Sequence, residues 1–162
     1  MRELPARKNV RLKKYNYSQE GAYFITICVK DRHEMLGRVV GRDALGAPFV
    51  QISEYGEIIR KEIEKTHLYY TNVVVEKFII MPNHVHMIVS VSGETEIHGQ
   101  NGAPGASRPT TALIPRIVTM LKKKTNKTYG FDMWQTSYHD RIIRNESEYQ
   151  KIWQYIDENP VR

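Results

Sequence analysis

The chain has 162 residues, enough for one domain but too few for two independent cores of ordinary size. Hydrophobic residues make up 41% and charged residues 26%, too apolar a balance for disorder, and no apolar run approaches the ~18 residues of a membrane-spanning helix. A single cysteine, Cys28, excludes a disulfide framework or a cysteine-cluster zinc site, and the charged start MRELPARKNVRLKK lacks the apolar segment of a secretory signal, so a cytoplasmic protein is expected.

In chain order, residues 22–29 (AYFITICV) are aromatic and β-branched and predict a buried strand. The polar stretch from Lys30 to Ala47 predicts a turn and a short hairpin ending in a strand near Phe49–Ile52. Ser53 then precedes a helical pattern that places Ile59, Ile63 and Leu68 near one face and spaces Glu57 and Lys61 as an i,i+4 ion pair. Residues 72–80 (NVVVEKFII) and His84–Val91 predict two strands joined by the turn residues Met81-Pro82-Asn83. Residues 92–109, rich in Gly, Ser, Thr and Pro, predict a long loop.

Thr110 or Thr111 can cap a helix to about Thr128, with Pro115 tolerated near its first turn and an apolar stripe of Ile114, Ile117 and Leu121. Residues 133–143 predict a strand with an irregular start. Asn145 caps a last helix, with Glu148 at its third position, that runs to about Asn159 and is stopped by Pro160. The order β-(ββ)-α-β-β-α-β-α predicts an α+β sandwich, an antiparallel sheet covered by helices. Met81, Met87 and Met120 are assigned to packing.

Charge is unevenly distributed. Residues 1–14 hold Arg2, Arg7, Lys8, Arg11, Lys13 and Lys14 for a net +5, residues 108–131 carry +6 with no acid, and the remainder carries −5. Arg116, Lys123 and Lys127 share one side of the predicted helix, opposite its apolar stripe. Two basic blocks on a slightly acidic body are the footprint of a polyanion-binding surface, and equally of a solvated tail and helix face. Arg141 and Arg144 could touch phosphates or pair with Glu146 or Glu148. His33, His67, His98 and His139 read as surface residues, His139, within reach of the last strand, having a spare or outer metal ligand as its alternative.

The densest chemistry lies in MPNHVHMIVS. On a strand His84 and His86 project from one face while Val85 and Met87 face the other way, and two neutral imidazoles one pleat apart can chelate a divalent cation. Two histidines on a solvated sheet face are the plainer alternative. Tyr155 and Asn159, four residues apart on the last helix, share a face, so a nucleophilic hydroxyl and an amide ligand could stand side by side. A half-buried aromatic packing that helix on the sheet is the alternative there.

Taken in order, YNYSQEGAYFITICVKDR, VVVEKFIIMPNHVHMIVS, LIPRIVTMLKKKT and MWQTSYHDRIIRNESEYQKIWQYIDENPVR resemble the single-tyrosine HUH transposases, in the branch of the insertion-sequence-200-like and REP-associated tyrosine transposases. The resemblance runs from about Arg7 to the last residue, where many relatives continue with a further segment. His84-Val85-His86 matches the family's histidine–hydrophobe–histidine motif, Tyr155 and Asn159 match its Tyr-x-x-x-Asn helix, and Lys122 falls where a basic residue often precedes that helix.

The resemblance implies a single ferredoxin-like α+β domain with a C-terminal catalytic helix. It implies cleavage and rejoining of single-stranded or hairpin DNA through a 5′-phosphotyrosine on Tyr155, with Mg²⁺ or Mn²⁺ held by His84, His86 and Asn159. The phosphate contacts then fall to Arg7, Lys8, Arg11, Lys13, Lys14, Arg116, Lys122, Lys123 and Lys127. Relatives include monomers and dimers with shared sites, so a homodimer is possible on this reading. A binding module derived from such an enzyme is the second reading. A histidine-nucleophile phosphodiesterase is disfavoured, because Ile88 stands where a third alternating histidine is expected.

Overall fold

The computed structural model describes residues 21–41, 46, 48–92 and 113–159. The basic N-terminal residues, His98, the proposed caps Thr110 and Thr111, nearly all of the 92–109 loop and Pro160 lie outside the described residues.

Strand β1 (Gly21–Cys28) alternates Tyr23, Ile25 and Ile27 with Ala22, Phe24 and Thr26, and both faces are covered. It is followed by the short hairpin β2 (Gly37–Val40) and β3 (Phe49–Ile52), which forms its own two-stranded sheet. Helix α1 (Glu54–Glu64) and a single turn α2 (Thr66–Tyr69) lead into β4 (Val73–Met81) and β5 (His84–Val91), joined across Pro82-Asn83. Helix α3 (Leu113–Tyr129), β6 (His139–Ile143) and α4 (Glu146–Glu158) complete the order. The main sheet is antiparallel in the order β4-β5-β1-β6. With α1 in the β1-to-β4 connection and α3 in the β5-to-β6 connection, this is the expected ferredoxin-like α+β sandwich.

Residue parity assigns the layers. Tyr23, Ile25 and Ile27 of β1 and Val85, Met87 and Val89 of β5 meet Ile59 and Ile63 of α1 and Ile114, Ile117, Val118 and Leu121 of α3. The opposite parity meets α4: Phe24 and Ile88 pack with Ile152 and Ile156. In β4 a bulge between Val75 and Lys77 reverses the phase, so that Lys77 and Ile79 face α4 while Phe78 turns to the main core.

Two local expectations change. Leu68 does not join the apolar face of α1 but is 66% exposed, because the helix ends at Lys65 and restarts out of phase, burying Thr66 instead. Glu57 pairs with Arg60 (2.6 Å) rather than Lys61, since the planar guanidinium also reaches Glu64 (2.8 Å) and serves both carboxylates.

The predicted cap Ser53 accepts from the Gly56 amide (3.2 Å) and donates to the Met35 carbonyl (2.6 Å), which ties α1 to the start of the hairpin. That contact leaves no room at Gly56, where a Cβ would lie 2.2 Å from the Leu36 carbonyl oxygen and 2.1 Å from Ile52 Cγ2. Gly56→Ala should therefore lower stability by about 1–2 kcal/mol despite the ~1 kcal/mol helix-propensity gain of alanine, read as a lower melting temperature.

Candidate active site

Strand β5 begins at the Pro82-Asn83 turn, so His84 and His86 stand at one end of the sheet on the face that α4 covers. They are not on a solvated face: His86 is 7% exposed, stacked on Phe24 with ring centroids 5.2 Å apart, and His84 is half-buried. Helix α4 is held by its predicted cap, Asn145 Oδ1 accepting from the Glu148 amide (2.8 Å), while the Glu148 carboxylate accepts from the Arg144 amide (2.9 Å) and pairs with Arg141. Lys77 clamps the helix further along, ion-pairing with Asp157 and lying 4.2 Å over the Trp153 ring. Those two contacts sit two residues either side of Tyr155.

Three groups converge at this end. The His84 and His86 Nε2 atoms are 3.1 Å apart, and the Tyr155 hydroxyl lies 3.5 Å from His86 Nε2. The outer ring nitrogens are anchored: His84 Nδ1 on Asn83 Oδ1 at 2.6 Å, and His86 Nδ1 on Thr26 Oγ1 at 2.8 Å. Asn83 Nδ2 donates to the Arg32 carbonyl (3.4 Å), which orients the amide with its oxygen toward His84. An amide oxygen only accepts, so in neutral His84 the proton sits on Nδ1 and Nε2 presents a bare lone pair. Burial lowers the affinity of both imidazoles for a second proton. Burial and then the Arg32 charge act on His84. On His86 burial, His84 and Arg32 act in that order and bring it to about 3. Both rings are therefore neutral near pH 7, the state in which imidazole ligates a metal.

Asn159 is buried one turn beyond Tyr155, its Nδ2 donating to the Tyr155 carbonyl at 2.8 Å. This contact closes the end of α4 and leaves Oδ1 as the amide atom available to a cation. Among the described residues no group of three His, Cys, Asp or Glu side chains is assembled, so from these residues a cation on the two imidazoles would take an amide or a hydroxyl as its third ligand. Two neutral nitrogens with anchored outer faces, plus such an oxygen, fit a divalent transition ion, and the anchoring hydrogen bonds are those that orient metal-bound histidines. Ile88, the next residue on this face, is fully buried beneath α4.

The basic residues of α3 are placed elsewhere. Arg116, Lys123 and Lys127 lie on the outer side of a helix that packs on the other face of the sheet, across from α4. Arg116 and Lys123 line a groove of about 450 Å³ together with Tyr70, Thr119, Met120 and Lys124. Lys122 points inward, its ammonium donating to the carbonyls of Gln135 (2.6 Å), Thr136 (3.3 Å) and Ser137 (3.4 Å), and burial lowers its pKa. It anchors the segment that leaves the sheet after the Val29–Trp134 bridge, which is the irregular start expected for the last strand. His139 is exposed on β6 opposite Thr26. Thr26 and Arg32 were not legible as site residues. Asn83 was legible only as a turn residue, although its place directly before a histidine pair is a signal in itself.

No family model matches the chain. A Haemophilus influenzae protein, described as an uncharacterized protein, is 31% identical over 169 residues, spanning 96% of this chain and 88% of the relative. A solved structure of a REP-associated tyrosine transposase bound to a REP hairpin superposes with a TM-score of 0.62 at 19% identity, over 93% of this chain and 72% of that one. The chain belongs to the family of the Haemophilus protein, and its fold is that of the REP-associated tyrosine transposase structure.

Proposed function

We propose that the protein is a metal-dependent DNA transposase that cleaves and rejoins single-stranded DNA through a 5′-phosphotyrosine on Tyr155. The observation that carries this reading is the convergence of Tyr155 with the Nε2 atoms of His84 and His86, from elements that only the folded sheet brings together. His84, His86 and Asn159 would hold Mg²⁺ or Mn²⁺, and nitrogen ligands favour Mn²⁺ of the two. When bound, the ion supplies positive charge to the scissile phosphate and favours the phenolate of a side chain that titrates near ~10 when free.

The chain's own residues do the rest. Thr26 and Asn83 hold the imidazoles in register, and the Lys77 clamp and Asn145 cap hold α4 against the sheet. The Tyr155 oxygen attacks phosphorus, the bond to the DNA 3′-oxygen breaks, and that oxygen leaves as a free 3′-hydroxyl. Attack by another 3′-hydroxyl releases the tyrosine and joins the strands without a nucleotide cofactor. The hairpin carried by the structural neighbour makes a hairpin or repeat element the substrate to try first. Because α3 lies across the sheet, Arg116, Lys123 and Lys127 would grip flanking DNA, together with Arg7, Lys8, Arg11, Lys13 and Lys14. Lys122 would act by holding the 135–137 backbone.

The test is incubation with end-labelled, hairpin-bearing single-stranded DNA and Mn²⁺ or Mg²⁺. A metal-dependent band that survives denaturant and carries a 3′-end label, on the fragment downstream of the break, is the expected result. Metal-independent, salt-sensitive binding with no covalent product would instead favour a non-catalytic DNA-binding protein.

A further inference from the structure

We propose that Arg32 is a phosphate-binding residue of this site, gripping the same phosphodiester that a cation on His84 and His86 would face, so that phosphate and cation bind cooperatively. The inference rests on the metal-site reading above and adds to it a residue that neither the motif nor the charge blocks single out.

Arg32 closes a short 3-10 turn (Lys30–Arg32) directly after β1. Asp31 and Arg32 both lie in the left-handed region, with φ of 56° and 57°, a conformation uncommon for residues other than glycine and rarer still for two in succession. The surroundings hold them there. The Arg32 amide donates to the Val29 carbonyl (3.0 Å), the Val29 amide donates to the Asn83 carbonyl (2.9 Å), and the Leu36 amide donates to the Pro82 carbonyl (2.9 Å). The turn is thus laced to the Pro82-Asn83 turn from which His84 projects. One side chain joins the two: Asn83 gives its Nδ2 to the Arg32 carbonyl and its Oδ1 to His84.

The Arg32 side chain is exposed, and no carboxylate pairs with it among the described residues. The Arg32 carbonyl is bound by the same Asn83 amide that anchors His84, so the side chain springs from the turn laced to the imidazoles. A guanidinium based here opposes a metal cation on those imidazoles while the site is empty of anions. A phosphodiester between them removes the conflict: its oxygens accept the guanidinium hydrogen bonds on one side and face the cation on the other. Each cation then strengthens the other's hold on the anion.

The test uses full-length wild-type protein, Arg32→Ala and Arg32→Lys, with Mn²⁺ and inorganic phosphate as probes. Mn²⁺ affinity is read from the free-ion paramagnetic resonance signal. Phosphate contact is read from the ³¹P relaxation caused by protein-bound Mn²⁺. Arg32→Ala should bind Mn²⁺ at least as tightly as wild type without phosphate, while phosphate affinity for the Mn²⁺-loaded protein falls at least about fivefold. Arg32→Lys, keeping charge without the planar fork, should fall between. Equal ³¹P effects in wild type and Arg32→Ala, or loss of Mn²⁺ by Arg32→Ala in the absence of phosphate, would overturn the inference alone. Wild-type protein that binds no Mn²⁺ would overturn it together with the metal site.

Discussion

Protein carrying Tyr155→Phe should form no covalent DNA adduct, a loss of at least about a thousandfold, while folding and binding DNA as the wild type does. The hydroxyl is the only group removed, and among the described residues its one hydrogen-bond contact is the 3.5 Å approach to His86 Nε2. The ring, 37% exposed, keeps its edge-on packing against Phe24 and His86, so stability should stay within about 0.5 kcal/mol. Denaturing gels of protein mixed with labelled DNA report the adduct, and thermal melting reports the fold. An adduct of undiminished yield in the phenylalanine variant would place the nucleophile on another residue and sink the proposed chemistry.

Removing an imidazole should have the second large effect. His86→Ala and His84→Ala should each weaken Mn²⁺ binding by at least about a hundredfold, more than the 10- to 100-fold typical of losing an outer partner. Adduct formation should fall with it. The two variants should differ in stability. His86 is buried against Phe24 and hydrogen-bonded to Thr26, so its truncation leaves a void and an unpaired hydroxyl, costing about 2–3 kcal/mol. His84 is half-buried and should cost less. Comparing them separates metal loss from unfolding: His84→Ala should remain folded and still fail to bind the ion. Mn²⁺ affinity unchanged in both would remove the histidines from the metal site.

Much of this architecture is local and was readable. The strand composition of AYFITICV, the strand His84–Val91, the turn at Pro82-Asn83 and the Asn145 cap each depend on residues within a few positions of one another, and all four recur in the structure. The parity that sends Val85 and Met87 one way and His84 and His86 the other follows from the pleat itself. Local reading failed where a longer-range contact outweighed it. Leu68 lost its place to a helix restart at Lys65, and Lys122 became a backbone anchor because the segment after Trp134 leaves the sheet beneath it. The bulge at Glu76, which turns Lys77 toward α4, leaves no mark in the strand composition of NVVVEKFII.

The sequence by itself determined the element order, the face on which the histidines stand and the family motifs, because periodicity and turn chemistry act over neighbouring residues. Only the tertiary structure decided which helix covers that face. His86 and Tyr155 are 69 positions apart, and no periodicity relates them; the antiparallel order β4-β5-β1-β6, with α1 and α3 occupying one side, leaves the other side to α4. The same layering put the basic side of α3 across the sheet from the tyrosine, and long-range hydrogen bonds brought the Arg32 turn to the turn before the histidines. Charge summed along a chain has no direction, and a sheet with two faces gives it one.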